Sequence, residues 1–232
     1  MQMRKILFAA AALALQTLVV HSETAKRTVG GTDFAFAVPR EFCVLSESNS
    51  RDAIFINVVS TLLKGASNRL ILLTVKCDRL KTWREGVGGN ILRYAMYYIP
   101  NNLETAAFPG DTQKLRKDLC QDMRKQGDAT LAGVKDIVAN AAKELNANIA
   151  VTGTKYVGVV DEDDHGCYAA LLINVKGGDG KTIVMSSIVT STVVHSKPLF
   201  FAIYNEYQGP EATQEDVDRS RIIAADFDRA NP

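Results

Sequence analysis

The chain reads as an α+β protein on a mainly antiparallel sheet, with a C-terminal four-strand meander and helices covering both faces in an α/β/α sandwich. Three observations predict this. Four β-prone runs stand in series at 151–160, 167–176, 181–194 and 199–207, separated by short breaks of turn-forming residues. The third run sets Ile183, Met185 and Val189 on one alternating face and Val184, Ile188 and Val194 on the other, so both faces of the sheet need cover. Helical apolar spacing recurs before and after these runs, at Ile54, Val58 and Leu62, at Leu115, Leu119 and Met123, and in the tail.

Arg4 and Lys5, an apolar run from Ile6 to Val20, and then small and polar residues give the three-part layout of a secretory signal. Val20 and Ser22 suit the recognition positions for cleavage after Ser22, so 1–22 is expected to be a signal peptide. The run is shorter than the roughly 20 residues of a spanning helix. Residues 23–232 are then expected to form one α+β domain, periplasmic or secreted, with no membrane span. Removing the leader takes away two basic residues and no acidic one, moving the formal charge from +1 to −1. A near-neutral chain has no general attraction for nucleic acid.

Along the chain, Phe34, Ala35, Phe36, Ala37 and Val38 alternate as a strand does, and Pro39 leads into Phe42–Leu45. Ser50 can cap a helix from Arg51 to Lys64 that Gly65 ends, and Leu70–Val75 is a continuous apolar strand. Asp78 can cap a short helix to Glu85 that carries Trp83, and Ile91–Ile99 reads as a tyrosine-rich strand. Residues 100–110 have no periodicity and form either an exposed binding loop or a tucked connection. Two helices follow with Gly127 between them, the first capped by Asp111, the second starting at Asp128 or Thr130. The tail from Glu211 to Ala230 carries Val217, Ile222, Ile223, Ala225 and Phe227 as a helix that docks back.

Cys43, Cys77, Cys120 and Cys167 all follow the leader, an even number in a compartment that favours disulfides, and none are spaced Cys-x-x-Cys. Four cysteines allow three pairings. Two parallel strands joined through a crossover helix would bring Cys43 and Cys77 to one sheet edge, which favours that pair. Cys120, on a helix that packs on the meander, then faces Cys167 at a strand start.

No catalytic residue, metal site or cofactor emerges. Gly177, Gly178, Asp179, Gly180, Lys181 and Thr182 imitate the end of a phosphate loop, but Val175 replaces the first glycine and a strand follows in place of a helix, so the stretch reads as a hairpin. Asp161, Glu162, Asp163, Asp164 and His165 gather hard ligands, yet Leu172 occupies the position where an EF-hand loop has its last carboxylate. A solvated hairpin tip is the simpler reading. Neither His165 nor His195 has a Gly-x-Ser-x-Gly motif to serve. Between Lys64 and Arg93 basic residues outnumber acidic ones by seven to two, which points to an anionic ligand or acidic partner near Trp83 and Arg84, with Phe108 of the 100–110 stretch as a further contact.

The opening strand Phe34–Val38 into Pro39, the late hairpin 181–207 and the closing helix through Ile222 to Asp228 together resemble the layout of PsbP-like domains. The chain is also similar to small exported periplasmic proteins of Gram-negative bacteria. The first resemblance implies a three-layer α/β/α sandwich that acts as a binding or assembly module; the Trp83 helix and the central helix pair depart from its pattern. The expected function is non-enzymatic binding of an envelope protein or small ligand. The alternatives are an envelope hydrolase whose site assembles from distant residues, and an exported protein acting on a neighbouring cell.

Overall fold

In the computed structural model, residues 24–87, 91–131 and 133–232 are described; the expected signal peptide lies outside them. The elements run β1 (Thr24–Val29), β2 (Thr32–Ala37), β3 (Phe42–Val44), α1 (Ser50–Gly65), β4 (Asn68–Lys76), α2 (Cys77–Arg84) and β5 (Tyr94–Pro100). They continue with α3 (Thr112–Leu131), α4 (Val134–Glu144), β6 (Ala150–Glu162), β7 (Cys167–Lys176), β8 (Thr182–Val194), β9 (Lys197–Glu206) and α5 (Pro210–Ala230). β1 and β2 form a hairpin of their own. The other seven strands make one sheet in the order β3-β4-β5-β9-β8-β7-β6, antiparallel throughout.

The expected meander is present as β6–β9, and helices cover both faces of the sheet. β5 shows why both are needed. Its alternate residues Ala95, Tyr97 and Ile99 join a core with Phe34, Phe36, Ile223 and Phe227, beneath the β1–β2 hairpin and α5. The intervening Tyr94, Met96 and Tyr98 join the opposite core with Val59 and Leu63 of α1 and Leu80 of α2. On this second face α3 is held to β7 by the Cys120–Cys167 disulfide, and α4 lies against α1 and β6.

The Cys43–Cys77 disulfide is also formed, with Cα atoms 5.1 Å apart, but the expected parallel crossover is wrong. β3 and β4 are antiparallel, fixed by Leu45 N donating to Leu73 O at 3.0 Å and Cys77 N to Glu41 O at 2.7 Å. α1 carries the chain onward in the direction of β3, and β4 makes the return. Cys43 sits opposite Val75, and Cys77 lies two residues beyond Val75 on the same side, within bridging range. The α1 cap also shifts: Asn49, rather than Ser50, accepts from the amides of Arg51 and Asp52. α2 has no side-chain cap in place of the one expected from Asp78.

Gly127 does not separate two helices. α3 runs through it to Leu131, because Gly127 is the site where the Tyr156 ring of β6 packs on the helix, and a Cβ there would lie 2.1–2.4 Å from three ring atoms. The tyrosine hydroxyl donates to Met123 O on the same helix. Gly→Ala in a helix ordinarily gains about 1 kcal/mol. Here Gly127→Ala is expected to cost about 1–3 kcal/mol through overpacking, measured by urea unfolding.

Candidate partner-binding groove

The residues singled out in the sequence are not gathered into one site. Arg84, at the end of α2, is engaged by Asp52 at the start of α1, with Nε donating to Oδ1 at 2.9 Å and the guanidinium also reaching Oδ2. Asp52 is fully buried and accepts the Ser46 amide as well. Burial pushes the Asp52 carboxyl up, but the Arg84 hydrogen bonds, the Ser46 amide and the Arg84 charge outweigh it and hold the group below its ordinary range. Trp83 packs edge-on against Phe55, whose ring meets Tyr94 in turn. This end of the sheet is a lock between α1 and α2.

Phe108 lies at the opposite end of β5, where its amide donates to Ser196 O in the β8–β9 turn. Residues 101–110 are mostly exposed, Phe108 among them, but their middle is anchored to the sheet. The buried Lys197 donates from Nζ to the carbonyls of Glu104 and Ala106 at 2.9 and 3.0 Å, and Arg69 pairs with Glu104. The seven residues of β5, at about 3.3 Å each, separate Phe108 from Trp83 by roughly 20 Å.

The acidic hairpin after β6 is an ordered network rather than a solvated tip. Asp163 accepts from the amides of His165 and Gly166 and from the Tyr168 hydroxyl. Arg221 of α5 reaches both Asp161 and Asp163. Burial first, then the Asp163 charge, pushes the Tyr168 phenol well up. Beside it, Asp228 of α5 takes Arg116 of α3 at 2.7 Å and His165 Nδ1 at 2.7 Å, while Arg116 also donates to the carbonyls of Val193 and Asp164. The His195 ring lies tilted against Phe34 and approaches Pro232 O. Gly177–Thr182 closes a hairpin, with Gly177 N donating to Lys181 O and Gly180 N to Gly177 O.

The feature with the form of a binding site was not read from the sequence. It is a groove of about 700 Å³ between α5 and the β2–β3 connection. Val38 and Pro39 form one wall, and Ile222 and Ile223 of α5 the other. Ile223 is buried beneath the groove, whereas Ile222 is 63% exposed in it. Glu215, Asp218, Ile222 and Asp226 are spaced three, four and four residues apart, so they form one stripe of α5, acidic on both sides of a single isoleucine. Glu41 adds a carboxylate across the groove; Arg40 and Arg219 also line it, and Arg219 is paired with Asp216. The stripe spacing was the available signal, masked because Ile222 and Ile223 read together as core.

Asp216, one residue from this stripe, is buried beside Arg93, Arg219 and Asn205. Burial pushes its carboxyl above the ordinary range, and the two arginines only partly oppose this. The acidic tail therefore divides into an inner set that fixes α5 to the sheet and an outer set that faces the groove.

No protein-family model and no curated protein matches the chain. Among solved structures it is similar to the solution structure of cyanobacterial PsbP (CyanoP) from Synechocystis sp. PCC 6803. That alignment covers 87% of this chain and 91% of the other at 12% identity, with a TM-score of 0.34. Among the described residues, no helix is long and apolar enough to cross a membrane.

Proposed function

We propose that the chain is an exported binding module, one domain over residues 23–232, that holds a basic, apolar segment of an envelope partner in the groove between α5 and the β2–β3 connection. The observation that carries this reading is Ile222, left exposed at the centre of an acidic stripe with an apolar wall opposite. An apolar anchor ringed by charge is the form of a docking site, and the acidic rim selects lysine or arginine beside the anchor. Export is supported by the signal-like residues 1–22 and by the pairing of all four cysteines in disulfides.

The rival hydrolase reading rests on the His165–Asp228 pair, whose histidine is partly exposed. Among the described residues, no serine or threonine hydroxyl is hydrogen-bonded to either histidine ring, and no thiol is free. A nucleophile in contact with its base is what that chemistry requires.

The test is fluorescence anisotropy with a labelled peptide of alternating lysine and leucine, against its glutamate–leucine counterpart. The lysine peptide is expected to bind and the glutamate peptide not to, and Ile222→Asp is expected to weaken binding by about tenfold or more while leaving the melting temperature in place. Equal binding of the two peptides would contradict the reading. So would turnover of an esterase, peptidase or glycosidase substrate that is lost in His165→Ala.

A further inference from the structure

The two disulfides stand in different surroundings. Cys120 and Cys167 are shut inside, at 0% and 1% exposure, whereas Cys43 and Cys77 are both partly exposed. The partly exposed bridge also joins slighter elements. β3 is three residues long, stands at the end of the sheet and pairs with β4 alone. Cys77 is the first residue of α2, which has no side-chain cap. A thiolate at that position is favoured by the positive end of the helix. Lys76 adds positive charge beside it, partly offset by Asp78 at 3.5 Å from the lysine.

The same bridge closes the foot of the α5 groove. Phe42 N donates to Pro39 O at 3.0 Å and Cys77 N to Glu41 O at 2.7 Å, so the wall from Val38 to Glu41 is tied to the start of α2. Between these bonds Glu41 sits at φ 68°, a left-handed conformation disfavoured for any residue with a Cβ. Such a conformation persists only where its surroundings hold it. The restraints on Glu41 are the buried Phe42 ring, the two hydrogen bonds and, two residues on, the Cys43–Cys77 bridge.

We propose that Cys43–Cys77 is a redox switch on the α5 groove, opened by a dithiol while Cys120–Cys167 stays closed. This rests on the reading of that groove as a partner site. One thiolate of the dithiol attacks Cys43 Sγ, and the electron pair of the S–S bond leaves with Cys77. The second thiol then attacks the dithiol's own sulfur in the mixed disulfide and frees Cys43. The dithiol ends as a disulfide, and its two electrons and two protons end on Cys43 and Cys77 as thiols. Exposed disulfides are the ones such exchange reaches. With the bridge open, β3 keeps only its short pairing with β4, and Glu41 is free to leave its left-handed conformation. The Val38–Glu41 wall then loses its fixed place opposite Ile222, and a basic, apolar segment is held less tightly.

The test first treats the folded, unaltered chain with limiting dithiothreitol, alkylates the thiols released and maps them by mass spectrometry. Cys43 and Cys77 are expected to be alkylated before Cys120 and Cys167; the reverse order, or loss of both bridges together, would overturn the proposal. Hydrogen exchange then compares the parent with Cys43→Ala/Cys77→Ala. The amides of residues 40–45 are expected to exchange about tenfold faster in the double variant, with those of β7 and β8 unchanged. Unchanged exchange at 40–45 would mean that Phe42 holds the turn by packing, and there would be no switch. The lysine–leucine peptide is expected to bind the double variant about tenfold more weakly than the parent. Equal binding by the two overturns the gating alone, whereas no binding by the parent overturns the groove reading beneath it. If the double variant does not fold, the selectively reduced and alkylated chain carries the same two measurements.

Discussion

Replacing Cys120 and Cys167 together by alanine is expected to destabilise the folded chain by about 4 kcal/mol, because the bridge closes a loop with a sequence separation of 47 residues. Alanine is the cleaner choice, since both sulfurs are fully buried and a serine hydroxyl would add its own burial cost. The effect extends beyond chain entropy. Arg116 lies one helical turn before Cys120, and the bridge holds α3 where Arg116 meets Asp228 and the Val193 carbonyl. Losing it is expected to loosen the only described ion pair that ties α3 to α5. For a chain of this size the melting temperature should fall by roughly 10 °C. Urea unfolding of the double variant checks this, and a loss below about 1 kcal/mol would show that the helix is held by packing alone.

Arg84→Ala is expected to cost about 3 kcal/mol at neutral pH, because it leaves the fully buried Asp52 carboxylate without its counter-charge. The pH dependence follows from the sign of the Asp52 shift. Its carboxyl is held below the ordinary 3.8, so its stabilising contribution is present above that value and is lost as pH falls through the folded value. In Arg84→Ala the same carboxyl is free to take a proton, so the gap between variant and parent should narrow on acidification. Asp216 acts in the opposite sense. Its carboxyl is raised, so its contribution is present at low pH and is lost as pH rises through its folded value. Unfolding free energies of parent and variant across the acid range check this; a gap that stays constant to about pH 3 would mean that Asp52 is not the stranded group.

The legible part of the fold is the part whose contacts are local. β6, β7, β8 and β9 are joined by short hairpins, so neighbours in sequence are neighbours in the sheet, and turn chemistry with alternation was enough to place them. Even the non-glycine turn at His195 and Ser196, both with positive φ, falls where the sequence breaks. The insertion of β5 beside β9 was not legible, because an apolar run on two faces does not say which strand it joins. The direction of β4 against β3 was not legible either, since a helix of this length can lead to a parallel or an antiparallel return.

The partners of the candidate residues were not legible for a related reason. Arg84 is engaged by Asp52, which stands 32 residues earlier, and the middle of residues 101–110 is anchored by Lys197, which comes more than 90 residues later. Neither partner leaves a periodic trace. The intrinsic preference of Gly127 points to a helix stop, whereas its reason is the Tyr156 ring on another element. Ile222 carried a visible stripe of acidic neighbours, but it stood beside Ile223 and was absorbed into the apolar face.

Binding at the α5 groove is tested most directly by amide and methyl chemical-shift mapping of the ¹⁵N,¹³C-labelled chain during titration with the lysine–leucine peptide. Saturating shifts are expected at Ile222, Ile223, Val38 and the amides near Glu41, with none at Trp83, Arg84 or Phe108. Shifts centred on those three residues, or spread without saturation over the sheet, would contradict it.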